Sequence, residues 1–279
     1  MSNLPTVWTN AVAGIVLAGG AVTDRRTPLL LLAMTLFYVG GMYLNDAFDR
    51  EHDARHRPER PIPSGEASAR TVFAAGFAML ATAVALLAWI GFGFAGGAGW
   101  PPVAAGVALA AAIVHYDRNH KGNPIGPFWM GLCRMLVYVA AGLALAGAAP
   151  GPLLTAALLL LSYLIGLTYV AKQESLGQVR NLWPLLFLAA PVFHGAAALP
   201  GAPAALPFFL LFTGWTLFAL SFLLRRRPGD VPRAVVSLIA GISLLDALFI
   251  AGQGAAEIAS FAVAGFVLTL ALQRVVPGT

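Results

Sequence analysis

Asn45, Asp46, Asp49 and Asp53 are spaced so that they could hold a hard cation. If the helix that enters this segment continues past Asn45, then Asn45, Asp49 and Asp53 fall at i, i+4 and i+8 on one face, with Asp46 beside them. Stacked carboxylates repel one another, and such a set is usually tolerated when a divalent ion lies among the oxygens. A carboxylate-and-amide set suits Mg²⁺, which keeps several waters and completes its shell with phosphate oxygens. Arg55, Arg57 and Arg60 follow at once, and their planar donors match phosphate. The combination has the makings of a metal-bridged diphosphate site. The alternative is a solvated loop whose acids and arginines pair locally. The site reading is favoured because the run caps an apolar stretch, keeps helical spacing and is followed by the stiff Pro61-Ile62-Pro63-Ser64-Gly65.

The elements that must position this run are apolar. The chain has 279 residues, 17 Lys and Arg against 12 Asp and Glu (net +5), 59% hydrophobic and 10% charged residues. A soluble domain needs about a quarter of its residues charged, so that class is excluded. Disorder is excluded by the same apolar excess, and a disulfide scaffold by the single Cys133. No Asp, Glu, Lys or Arg occurs in 1–23, 27–45, 71–116, 135–171 or 181–224. At about 20 residues per span, the first two stretches hold one helix each and the other three hold pairs, broken by Gly and Pro near 96–102, 149–152 and 199–203. Segment 234–273, interrupted at Gly252-Gln253-Gly254, adds a ninth span and a short tenth. The expected fold is therefore an all-α membrane bundle of nine or ten helices around a central cavity, a single domain over 1–279.

Basic residues concentrate in 46–70, 117–126, 172–180 and 225–233, while the alternate turns hold only Arg25 and Arg26. The positive-inside rule puts the charged loops and the N-terminus in the cytoplasm, of a bacterial-type inner membrane. Residues 1–23 lack a basic n-region and read as a retained span, with Trp8 as an interface anchor. The basic balance then needs no nucleic acid; anionic lipid is the simpler partner.

The run Asn45-Asp46-Ala47-Phe48-Asp49-Arg50-Glu51-His52-Asp53, with Arg60-Pro61-Ile62-Pro63-Ser64-Gly65, resembles the first aspartate-rich motif of the UbiA superfamily of intramembrane prenyltransferases. The resemblance implies a nine-helix bundle with motif loops after the second and sixth spans, and Asn45, Asp49 and Asp53 holding Mg²⁺ on a prenyl diphosphate, with Asp46 in the same metal set. Where the family bears a second aspartate run, this chain has Thr168-Tyr169-Val170-Ala171-Lys172-Gln173-Glu174-Ser175. Glu174 is the one carboxylate ligand there, and Lys172 and Arg180 would neutralise phosphate charge in place of a second metal. This pattern, with Lys121-Gly122-Asn123-Pro124 and Gly131-Leu132-Cys133-Arg134, is more similar to the EboC-like branch than to the quinone enzymes.

Family members carry a phosphate-reaching basic residue after the fourth span, for which Lys121 and Arg118 are the nearest matches; a basic interface loop is the alternative. Arg134, inside the fifth span, is a diphosphate-binding candidate because a buried arginine is costly unless it faces a polar cavity; snorkelling to the surface is the alternative. His194 and Asp246 could line the cavity or serve packing, and neither is assigned.

The leading reading is transfer of a prenyl group, with Mg²⁺, to an aromatic or other electron-rich, lipophilic acceptor, with water excluded from the cation. A second is terpene cyclisation or a phosphoribosyl-type transfer at the same site. A third is non-catalytic binding or transport of an isoprenoid or lipid, against which the gathering of charge at one rim argues.

Overall fold

The computed structural model describes residues 2–173, 183–225 and 227–275. Ten α-helices are present among them: α1 (Pro5–Leu17), α2 (Thr27–His56), α3 (Ala69–Phe92), α4 (Trp100–Asn119), α5 (Gly126–Leu145), α6 (Gly151–Lys172), α7 (Leu186–Ala198), α8 (Leu206–Arg225), α9 (Asp230–Gly252) and α10 (Ala256–Val275). Eight helical segments are long and apolar enough to cross a membrane. In such a solvent each backbone polar group must be paired within its own segment, which is why uninterrupted apolar runs become helices and the Gly- and Pro-rich stretches become turns. The α3–α4 turn, for example, uses Gly96 and Gly99 at φ 77° and 73°, a conformation open to glycine at no steric cost.

The paired helices fall where the charge-free stretches place them. One expectation needs correction: the tenth helix is not short, since α10 has 20 residues, and the short α-helices are α1 and α7 with 13 each. At 1.5 Å per residue α1 is roughly 20 Å long, less than the hydrocarbon thickness. It is packed almost wholly inside, with Thr6, Thr9 and Asn10 at 0% exposure. Trp8 is half-buried, and its indole Nε1 donates to Thr35 Oγ1 of α2 at 2.9 Å.

Two apolar cores share α1 and α5. One joins them to α2, α3 and α4, around Phe37, Leu44, Leu87 and Ile90; the other joins them to α6–α10, around Leu160, Tyr163, Phe212 and Leu245. α9 is the most enclosed helix, buried almost continuously from Ala234 to Ala251. Glycine permits the closest approach at the seam: a Cβ on Gly14 of α1 would lie 2.6 Å from the Tyr138 carbonyl oxygen of α5, the small-residue packing that lets membrane helices touch backbone to backbone.

At one rim Asp24, in the α1–α2 turn, accepts from Arg26 Nη2 at 2.7 Å, and the same nitrogen donates to the Leu145 carbonyl ending α5 at 3.0 Å. That guanidinium holds the Asp24 carboxyl below the usual carboxylate range. The opposite rim carries the acidic run.

Candidate functional site

With 30 residues α2 is roughly 45 Å long, well over the thickness of a bilayer core, so its last turns project beyond it. The helix does continue past Asn45, ending at His56. Asn45, Asp46, Asp49, His52 and Asp53 line one recess of about 270 Å³ together with Arg57, Arg60 and Lys121. The recess is thus built from the expected acids, two of the expected arginines and a lysine 72 residues further along than Asp49.

Each of the three aspartates is paired with a cation. Arg60 Nη1 lies 2.9 Å from Asp53 Oδ2 and 3.2 Å from Asp46 Oδ1, so one guanidinium spans two carboxylates. Lys121 Nζ lies 3.1 Å from Asp49 Oδ2, and His120 Nε2 stands 3.7 Å from the same oxygen. Asp53 is buried at 4% exposure. Between the two readings of the loop nearest this site, the geometry selects Lys121 over Arg118. Arg118 instead points to a groove between α3 and α4 on the far side of its helix.

Sequence reasoning passed over Asp117. This residue of α4 is 6% exposed and accepts from Asn45 Nδ2 at 3.3 Å. The bond fixes the amide so that Asn45 Oδ1 is left for another partner. The second Asp117 oxygen is buried without a hydrogen-bond partner. Its signal was present in the sequence, an acid ending an apolar span between Tyr116 and Arg118, but only packing shows that it meets Asn45.

Lys172, the last residue of α6, reaches the same loop. Its Nζ donates to the Asn123 carbonyl, two residues from Lys121. Gly126 makes the space, because a Cβ there would come within 2.8 Å of the ammonium. Lys172 therefore holds the loop that brings Lys121 to Asp49. Glu174 and Arg180 lie outside the described residues.

Arg134 is placed elsewhere. Its Nη1 donates to Asn10 Oδ1 of α1 at 3.0 Å, and its guanidinium carbon lies 5.9 Å from the ring centre of Tyr38 of α2. It touches none of the four α2 acids among the described residues.

Mg²⁺ fits this donor set in one way. Among the described residues no three His, Cys, Asp or Glu side chains converge as a ready-made cage. Mg²⁺ typically uses one or two carboxylates, waters and substrate phosphates, and a recess offering Asp46, Asp49, Asp53 and the oriented Asn45 oxygen supplies that kind of partial shell.

The sequence profile of the UbiA prenyltransferase family matches residues 6–170. The chain belongs to that family. Curated relatives include the digeranylgeranylglyceryl phosphate synthases of Methanothrix thermoacetophila, 43% identical over 22% of this chain and 23% of the relative, and of Methanopyrus kandleri, 33% identical over 41% of each. The aligned stretches thus span well under half of these relatives. A solved structure described as a study of digeranylgeranylglyceryl phosphate synthase in membranes superposes with a TM-score of 0.62 over 90% of this chain and 97% of that one, at 18% identity. A UbiA homologue from Archaeoglobus fulgidus bound to DMAPP and Mg²⁺ superposes with a TM-score of 0.52 over 98% and 96%, also at 18% identity. Membership and apolar helices together make the chain an integral, multi-pass membrane protein of the UbiA fold.

Proposed function

We propose that this UbiA-family chain, acting as one domain, is an intramembrane prenyltransferase. A prenyl diphosphate places its head in the α2 recess, and its allylic chain descends between the helices to meet a lipophilic, electron-rich acceptor. The observation that carries this reading is the convergence of Asn45, Asp46, Asp49 and Asp53 from one helix end with Arg57, Arg60 and Lys121 in a single recess at the membrane rim. The DMAPP and Mg²⁺ of the Archaeoglobus homologue and the names of the archaeal relatives support the same chemistry.

Asn45, Asp46, Asp49 and Asp53 would hold Mg²⁺, which when bound supplies positive charge to the departing diphosphate. Arg57 and Arg60 donate to phosphate oxygens in the plane of their guanidinium groups, and Lys121 adds a point charge. Lys172 keeps Lys121 in place. Glu174 as a metal ligand and Arg180 as a diphosphate-binding residue, both outside the described residues, complete the proposal. Below the recess the apolar walls exclude water, so that an allylic cation is met by the acceptor and not by hydroxide. By the basic-loop bias the recess faces the cytoplasm.

The test uses the full chain in lipid nanodiscs with geranylgeranyl diphosphate, Mg²⁺ and a membrane lipid extract. The expected result is a lipid heavier by one prenyl group, with diphosphate released in equal amount. Diphosphate release with only a prenyl hydrocarbon or alcohol as product would refute transfer.

A further inference from the structure

The end of α2 carries a second set of metal-ligating side chains, of a different chemistry, that the reading above leaves unused. His52 and His56 stand at i and i+4, one turn apart on one face, where the helix has passed the bilayer core. Both are exposed, and their imidazoles stack with ring centres 4.2 Å apart and planes 20° from parallel. Exposed rings remove little apolar surface from water by stacking, so packing is a weak reason for the arrangement. Two histidines four apart on a helix are, by contrast, the spacing at which both imidazoles reach one zinc ion.

Hydrogen bonding fixes which nitrogens are free. His56 Nδ1 lies 2.9 Å from the His52 carbonyl oxygen. A carbonyl only accepts, so Nδ1 carries the proton and Nε2 keeps its lone pair. A metal-binding histidine is held in the same way, with its other ring nitrogen donating to a carbonyl or carboxylate that sets the tautomer and the ring orientation. The ring nitrogens of His52 have no hydrogen-bond partner among the described residues. The pair therefore offers two nitrogen lone pairs side by side, one of them already oriented.

Nitrogen donors set this pair apart from the carboxylates of the same helix. Imidazole suits Zn²⁺, Cu²⁺ and Ni²⁺, whereas Mg²⁺ takes oxygen. Two protein ligands are half of a tetrahedral zinc shell, which leaves two positions for water or other oxygens. His52 also lines the diphosphate recess together with Asp49 and Asp53, while His56 is not part of its wall. An ion on the two histidines thus stands at the edge of the recess, with open positions and two positive charges beside Arg57 and Lys121, the cations already there.

We propose that His52 and His56 form a site for a zinc-class divalent ion, separate from the Mg²⁺ set, and that the bound ion takes an oxygen of the diphosphate as a further ligand. Ion and diphosphate then strengthen each other's binding by the same factor, as linkage requires. The metal site stands by itself, and the coupling rests on the diphosphate reading above.

The experiment uses the full chain without a histidine tag, in nanodiscs and in excess Mg²⁺. Zn²⁺ is titrated first, and the affinity for geranylgeranyl thiodiphosphate is then measured with and without Zn²⁺. Wild type is expected to bind zinc and to hold thiodiphosphate about tenfold more tightly when zinc is present. His56→Asn should weaken zinc binding by about tenfold or more and abolish the zinc-dependent gain, with thiodiphosphate affinity in Mg²⁺ alone unchanged. Association of zinc with thiodiphosphate in solution is common to both proteins and cancels in that comparison. His52→Asn should lose zinc to the same extent, and Cu²⁺ on wild type should show spin-resonance coupling to two imidazole nitrogens, reduced to one in either variant. Zinc affinity equal to wild type in both histidine variants would assign the ion to the carboxylates and overturn the proposal. Histidine-dependent zinc binding that leaves thiodiphosphate affinity where it was would overturn the shared ligand. If wild type binds no thiodiphosphate in Mg²⁺ yet keeps histidine-dependent zinc binding, the diphosphate reading fails and the metal site stands.

Discussion

Lys121 Nζ stands 3.1 Å from Asp49 Oδ2, joining the loop before α5 to the acid at the centre of the α2 run. Four acids and amides line this recess against three cationic side chains, so removing one cation tips it toward repelling phosphate. Lys121→Ala is expected to weaken Mg²⁺-dependent prenyl-diphosphate binding by about tenfold, and the deficit should shrink as Mg²⁺ is raised. Isothermal titration at two Mg²⁺ concentrations checks both parts.

Lys172 is expected to act on the diphosphate through that lysine, because its ammonium donates to the Asn123 carbonyl of the same loop. In a double-mutant cycle, Lys172→Met should cost affinity in the wild-type background and little more in Lys121→Ala, since residues of one network couple. Additive losses would show that Lys172 meets the phosphate itself.

Asp117 orients Asn45 from outside the recess. Partners that aim a ligand typically matter about ten- to a hundredfold, so Asp117→Ala should raise the Mg²⁺ concentration needed for half-maximal diphosphate binding by that order. Unchanged Mg²⁺ dependence would remove Asp117 from the site.

The seam between α1 and α5 predicts a stability effect. Gly14→Leu puts a side chain where the Tyr138 carbonyl already lies 2.6 Å from a Cβ, which must part the helices that align Asn10 with Arg134. The thermal midpoint of the purified protein should fall, while Gly201→Leu, whose Cβ would meet nothing within 4 Å, should leave it unchanged.

Much of the site could be read from residue order because it lies on one helix. A period of four among Asn45, Asp49 and Asp53 survives any arrangement of the bundle, since it depends on α2 alone. The partners of those acids are a different matter. Arg60 returns to Asp46 and Asp53 through the turn after α2, and Asp117 and Lys121 arrive from α4 and its loop, contacts that only packing decides. Asn10 and Arg134 come from helices 124 residues apart, and nothing in their local spacing joins them. Arg134 accordingly looked like a further diphosphate ligand when judged by depth alone. The Gly252-Gln253-Gly254 break makes the tenth helix look short in the sequence, yet α10 runs for 20 residues, with Glu257 in its first turn, where a carboxylate is favoured by the helix dipole.

The most direct test of the account is the affinity of geranylgeranyl thiodiphosphate for the full chain in nanodiscs, with and without Mg²⁺, in wild type, Asp49→Asn, Asp53→Asn and the opposite-rim control Asp24→Asn. The account predicts Mg²⁺-dependent binding in wild type and in Asp24→Asn, and a loss of about a hundredfold or more in each of the two α2 variants. Wild-type affinity retained in folded Asp49→Asn and Asp53→Asn would contradict it.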